Sequence, residues 1–208
     1  VDYYLNRVTS IESEEKETLT YIINTWIRLL SPFVPYTTEE IWDKYNDDEI
    51  FMSSISWPVK NESVIDDKIE KGEEIIQDLS KDIKEIIKIT GSTPETVHLY
   101  TAPDWKYAVY DIAQEVGKPN IGEIIAKSMK ANLHDNKKEL SKFATKTGKS
   151  FNKISYVGKI DEVAIINDAK SYLEKEIGAK IEVYSEPTYD PQNKAQNATP
   201  YKPAIFLE

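Results

Sequence analysis

No cysteine occurs among the 208 residues, which excludes disulfides and thiolate-bound metal. Histidine is nearly as scarce. Only His98 and His134 could offer an imidazole, and they stand apart on separate predicted elements, so each is read as structural and no metal site is expected. Long apolar runs are missing: none approaches the ~20 residues that span a bilayer, and the opening residues carry no signal-peptide pattern. A cytoplasmic protein without membrane partners is the expectation. Chemistry-bearing motifs are missing too, with no Gly-rich phosphate loop, no nucleophile elbow and no metal-ligand spacing. No catalytic residue is therefore assigned.

Positive charge is also short overall, with 26 Lys+Arg against 36 Asp+Glu, a net charge of −10. That balance argues against nucleic acid until it is divided along the chain. Residues 1–90 hold 10 basic and 20 acidic side chains, whereas residues 91–208 hold 16 of each. Inside the neutral half, residues 127–159 carry nine lysines against only Asp135 and Glu139, a local excess of +7. The acidic half repels phosphate and one basic window attracts it.

In the first half, Leu19, Ile22, Ile23, Trp26, Ile27 and Leu30 recur at three-four spacing, which predicts an amphipathic helix. Pro32 and Pro35 then enforce a corner, because each lacks a donor and restricts the residue before it. Phe33 and Val34 are apolar, so the corner is expected to pack down. Thr37 and Glu40 have capping-box spacing, predicting a second helix near Thr38 with Ile41, Trp42 and Tyr45 on its buried face. Ile65, Ile69, Gly72, Ile76, Leu79, Ile83 and Ile86 mark a long helix that Gly91 ends. A domain boundary is placed there, giving 1–91 and 92–208. Beyond it a half-buried strand over 97–101, helices from Pro103, over 119–129, 134–149 and 161–177, and strands at 180–185 and 203–207 imply a small α/β layer of about three strands. The fold class is α+β, mostly helical.

Leu29-Leu30-Ser31-Pro32-Phe33-Val34-Pro35-Tyr36-Thr37-Thr38-Glu39-Glu40-Ile41-Trp42 resembles the proline corner in the anticodon-binding helical bundle of class Ia aminoacyl-tRNA synthetases. Ile55-Ser56-Trp57-Pro58 resembles the segment that follows it there. Val97-His98-Leu99-Tyr100, Asp104-Trp105-Lys106, Met129-Lys130, Asp161-Glu162, Ala198-Thr199-Pro200 and Lys202 to Glu208 are similar to the C-terminal domain of the archaeal and eukaryotic type of leucyl-tRNA synthetase. The resemblance implies a ligase that joins leucine to tRNA(Leu) with ATP and Mg2+ through leucyl-adenylate. This chain would be its tRNA-holding end, the tail of the bundle plus a domain for the long variable arm, with the same chain's catalytic domain as partner. The opening Val1-Asp2-Tyr3-Tyr4, without methionine, fits a segment of something longer, and a monomer without activity of its own is expected. Lys127-Ser128-Met129-Lys130 has the wrong order for the Lys-Met-Ser-Lys-Ser loop of class I synthetases and lies on a helical pattern, so it is set aside.

The residues expected to touch RNA are Lys127, Lys130, Lys138, Lys142, Lys146, Lys149, Lys153, Phe206 and Glu208. On a helix through 137–149 the lysines oppose Leu140, Phe143, Ala144 and Thr147, and acids at four-residue spacing that would pair with them are nearly absent. Such a ridge suits sequence-blind phosphate contact. Glu208 joins a side-chain carboxylate to the terminal one, acceptors only. Phe206 alternates with Ile205 and Leu207, which would leave it free to stack on a base. Two other readings stay open: the same region of an isoleucine, valine or methionine synthetase, and a protein-interaction module with the long helix as its docking surface.

Overall fold

A computed structural model describes residues 13–46, 50–117 and 120–208. The chain divides into two compact units, 1–65 and 66–208.

In the first unit, helix α1 (Ser13–Leu30) and helix α2 (Pro35–Tyr45) meet at the proline corner. Phe33 and Val34 both donate backbone N–H groups to the Leu30 carbonyl, which turns the chain. Ile27, Trp42 and Met52 form the buried centre, with Ile23, Ile41 and Ile55 against it. The capping box over Thr37 and Glu40 does not form. Pro35 takes the first helical position, where its missing N–H costs nothing, so α2 starts earlier with Val34 as its cap residue. Thr38 turns its hydroxyl back to the Val34 and Pro35 carbonyls, 3.0 Å each. The corner is not packed down within this unit: Phe33 is 81% and Tyr36 91% exposed.

The second unit opens with helix α3 (Asp67–Thr90), capped by Asp66, whose carboxylate accepts from the Lys68 and Ile69 N–H groups. Gly91 closes it at φ 64°, a left-handed position that glycine takes without penalty. Gly72, Ile75, Ile76, Leu79, Ser80 and Ile83 are buried against helices α7 (Glu162–Asp168) and α8 (Lys170–Ile177). The long helix therefore packs with the residues that follow it, and the compact units part at 65/66 rather than at 91/92. Strand β1 (Thr96–Tyr100) is central in a sheet of order β2-β1-β3, with β2 (Lys180–Tyr184) parallel to it and β3 (Ala204–Leu207) antiparallel. Both faces of β1 are covered, since His98 and Tyr100 are as buried as Val97 and Leu99, so the half-buried pattern expected of it is not observed. The helix expected over 161–177 is two, broken at Ala169.

Between β1 and α7 lie helices α4 (Asp104–Val116), α5 (Ile121–Lys130) and α6 (Lys137–Ser150). Tyr107, Val109, Tyr110, Ile124, Leu140, Phe143, Ala144 and Tyr156 form their shared core. The α5–α6 crossing is close because Gly148 faces Ile121: a Cβ there would lie 2.9 Å from Ile121 Cγ1. At Gly72 a Cβ would lie 3.1 Å from Ile165 Cδ1, the free end of a flexible side chain.

These two glycines should respond oppositely to alanine. Gly148→Ala should destabilise by about 1–2 kcal/mol, overpacking outweighing the gain in helix propensity. Gly72→Ala should be neutral or stabilising by up to about 1 kcal/mol. Urea unfolding of both variants checks this, and equal losses would contradict it.

Candidate nucleic-acid interface

The buried face of α6 fixes where its lysines go. Leu140, Phe143, Ala144, Thr147 and Gly148 pack inward, leaving Lys138, Lys142, Lys146 and Lys149 exposed, with Lys153 exposed in the 3-10 turn beyond. Among the described residues none of these five has a carboxylate partner, and neither does exposed Lys130. Lys127 differs, lying 3.3 Å from Glu123 one turn back. The structure thus brings the expected lysines onto α5, α6 and the following turn, with six of the seven unpaired. No three His, Asp or Glu side chains among the described residues converge as metal ligands.

Phe206 and Glu208 lie at the sheet instead. Phe206 stacks on His98 with ring centroids 5.6 Å apart and is half-buried, so it is not free. Glu208 is bound at several atoms. Its backbone oxygen accepts from Glu95 and Thr96, its Oε2 lies 2.9 Å from His98 Nε2, and its Oε1 accepts from the Tyr189 hydroxyl at 3.1 Å. The alternation of strand residues located Phe206 on the right face. It could not show that His98, buried on the neighbouring strand, and Tyr189, from the loop after β2, would cover that face. His134 also has a packing role, stacked on Trp105 at 4.5 Å with its Nε2 3.3 Å from Glu139.

Comparison with known proteins gives these features a setting. Residues 1–99 match the family model of the anticodon-binding domain of tRNA ligases. Over its whole length the chain is 44% identical to leucine–tRNA ligase of Methanothermobacter thermautotrophicus, of which it covers 22%. It is 34% identical to leucine–tRNA ligase of Pyrococcus abyssi over 99% of the chain and 21% of that protein. Along its whole length the chain is thus similar to leucine–tRNA ligases, and it spans about a fifth of the length of these relatives.

Two charged residues brace the second unit, and in the sequence they stand out only as members of the segments Asp104-Trp105-Lys106 and Asp161-Glu162. Lys106 is buried, and its ammonium donates to the Gln196 and Ala198 carbonyls at 2.7 and 2.6 Å, tying α4 to the loop between β2 and β3. Burial lowers its pKa, and the nearby Glu139 charge opposes that shift. Glu162 is buried too. It accepts from the Tyr107 hydroxyl at 2.5 Å, the Tyr201 N–H at 2.7 Å and the Ala102 N–H at 3.3 Å. Burial raises its pKa, and the three donors only partly offset this. The remaining signal for either residue in the sequence is weak, because a buried charge looks like any other until its partners converge.

A carboxyl whose pKa is raised by folding contributes most stability below the ordinary glutamate range and loses it as pH rises through the folded value. Thermal melts of wild type and Glu162→Gln should therefore show the wild type losing ground to the variant between pH 4.5 and pH 7.5. A wild-type advantage that grows with pH would put the three donors ahead of burial.

Proposed function

We propose that this chain is the tRNA-holding, C-terminal portion of a leucine–tRNA ligase, and that the lysine face of α6 bears on the phosphates of tRNA(Leu), above all at its long variable arm. The observation that carries the reading is the row of unpaired lysines on one packed helix, in a chain similar along its whole length to leucine–tRNA ligases. Ammonium groups on successive turns release counterions when they meet a phosphate backbone, and they do so without regard to sequence. Lys127, held by Glu123, contributes least. Glu208 keeps a side chain 55% exposed, so a base amino group would reach its carboxylate by displacing the Tyr189 hydroxyl, while Phe206 stays stacked on His98.

In the full-length enzyme leucine would be joined to the tRNA with ATP and Mg2+ through leucyl-adenylate, in the cytoplasm. Among the described residues there is no glycine-rich phosphate loop and no convergent carboxylate set; on this reading that chemistry would belong to a catalytic domain of the same protein. The reading as an isoleucine, valine or methionine enzyme loses ground because the relatives it resembles along its length are leucine–tRNA ligases. The docking-surface reading loses ground because the middle of the α3 seam, Gly72 to Ile83, is buried in its own unit, with Ile69 at its start exposed.

Binding to leucine tRNA should be steep in salt. If five lysines each neutralise one phosphate, log K should fall against log salt with a slope of roughly −3.5 to −4.5. Lys142→Ala with Lys146→Ala should make that slope shallower by about 1.5 to 2 while leaving the preference for leucine tRNA over a short-armed tRNA intact. An unaltered slope would place the phosphate contacts elsewhere.

A further inference from the structure

A cleft of about 470 Å³ opens at the start of α4, bounded by Thr101, Pro103 and Trp105, by Glu139 on the first turn of α6, and by the loop carrying Ser185 to Gln196. Its volume lies within the range of about 300–1,000 Å³ usual for small-molecule sites. We propose that this cleft is a pocket for one unpaired nucleobase of the bound RNA, with guanine preferred. The proposal rests on the reading of the chain as a tRNA-holding element and adds a base-specific site to it.

Three observations converge on the cleft. The first is a preset aromatic wall: Trp105 is stacked on His134 at 4.5 Å and 9°, buttressed edge-on by Phe143 at 5.1 Å, and has the Lys106 ammonium 5.4 Å from its ring centroid, so a base would stack on the part of the ring that these neighbours leave open. A wall already fixed in place loses little freedom when a base stacks on it, and base–aromatic stacking is a main source of affinity for unpaired RNA.

The second is the polar lining. Glu139 has Oε2 beside His134 Nε2, while its Oε1 has no partner among the described residues. Asp190 uses its two oxygens to hold the Lys194 and Ala195 N–H groups, which shapes the loop side of the cleft. The Lys106 ammonium is committed to the Gln196 and Ala198 carbonyls, which leaves Glu139 as the charged acceptor open to a ligand beside the mixed donors and acceptors of Ser185, Asn193 and Gln196. Ionised carboxylates only accept. Guanine offers them two adjacent donors, N1–H and the 2-amino group. Adenine and cytosine offer one amino group beside a ring acceptor, and uracil flanks its N–H with two carbonyls that the carboxylates repel.

The third is continuity with the lysine face. Lys142 and Lys146 follow Glu139 on α6 by three and seven residues, about 4.5 and 10.5 Å along the axis, on one side of the helix. The Glu139 and Lys146 charges both reach the Lys106 ammonium, so the cleft and the ridge adjoin. A strand laid along the lysines passes the mouth of the cleft, and one flipped-out base can enter it.

The test uses the intact chain and single-stranded RNA pentamers, UUGUU and UUUUU, titrated at fixed low salt beside leucine tRNA. UUGUU should bind about tenfold more tightly than UUUUU. Glu139→Gln, which keeps the shape and a link to His134 but turns half of the carboxylate into a donor, should reduce that ratio below about threefold, with thermal melts confirming that the variant is folded. UUGUU should also quench tryptophan fluorescence, and Trp105→Phe should abolish the quench. If leucine tRNA binds with the expected salt dependence but the two pentamers bind equally, or if the guanine preference survives Glu139→Gln, the pocket is overturned and the tRNA reading stands. If neither the pentamers nor leucine tRNA bind, both are overturned.

Discussion

The carboxylate of Glu162 is the junction on which the second unit depends. It opens α7 and takes hydrogen bonds from the end of β1 through Ala102, from α4 through Tyr107, and from the turn before β3 through Tyr201. Tyr201 sits at φ 67°, a conformation unfavourable for a bulky side chain. Its N–H to Glu162, its hydroxyl to the Gly158 carbonyl and the Lys71 ammonium over its ring hold it there. That strained turn delivers β3 antiparallel to β1, and with it the C-terminal residues. A buried charge is costly unless every lone pair finds a donor, so these contacts stand or fall together.

Burial and exposure on α6 follow from the same economy of space. Gly148 lets α5 approach, Leu140 and Phe143 fill the core, and the lysines are left on the only side that remains. Lysines in the chain that have a structural task are paired, as Lys84 is with Glu176, Lys202 with Asp82 and Lys159 with Asp104. Exposed unpaired lysines contribute little to folding. Their concentration on one helix therefore points outward, to a polyanion, and the buried Lys106 is the exception that braces the loop beside them.

Local pattern carried much of this in the sequence. Helices α1 and α3, the Gly91 stop, the lysine face of α6 and strand β2 could be read from spacing alone, because each depends on residues near in sequence, although Leu30 and Ile69 on the two helical stripes are exposed. Three features could not. Pro35 outcompeted Thr37 for the start of α2, since a fixed φ suits the first helical position. The long helix joined the later unit because its seam fits α7 and α8, about 90 residues away. Glu208 and Phe206 turned out to be engaged by His98 and Tyr189, partners that only the sheet order and the loop over it bring together.

The central claim is that the α6 lysines are the surface that meets RNA, and lysine footprinting tests it without altering the protein. The chain would be acetylated briefly with and without saturating leucine tRNA, and each lysine quantified by mass spectrometry. Protection should concentrate at Lys138, Lys142, Lys146 and Lys149, while the exposed Lys60, Lys68 and Lys175 react equally in both states. Protection spread evenly over all exposed lysines, or centred on α3 while the α6 lysines stay reactive, would contradict the account.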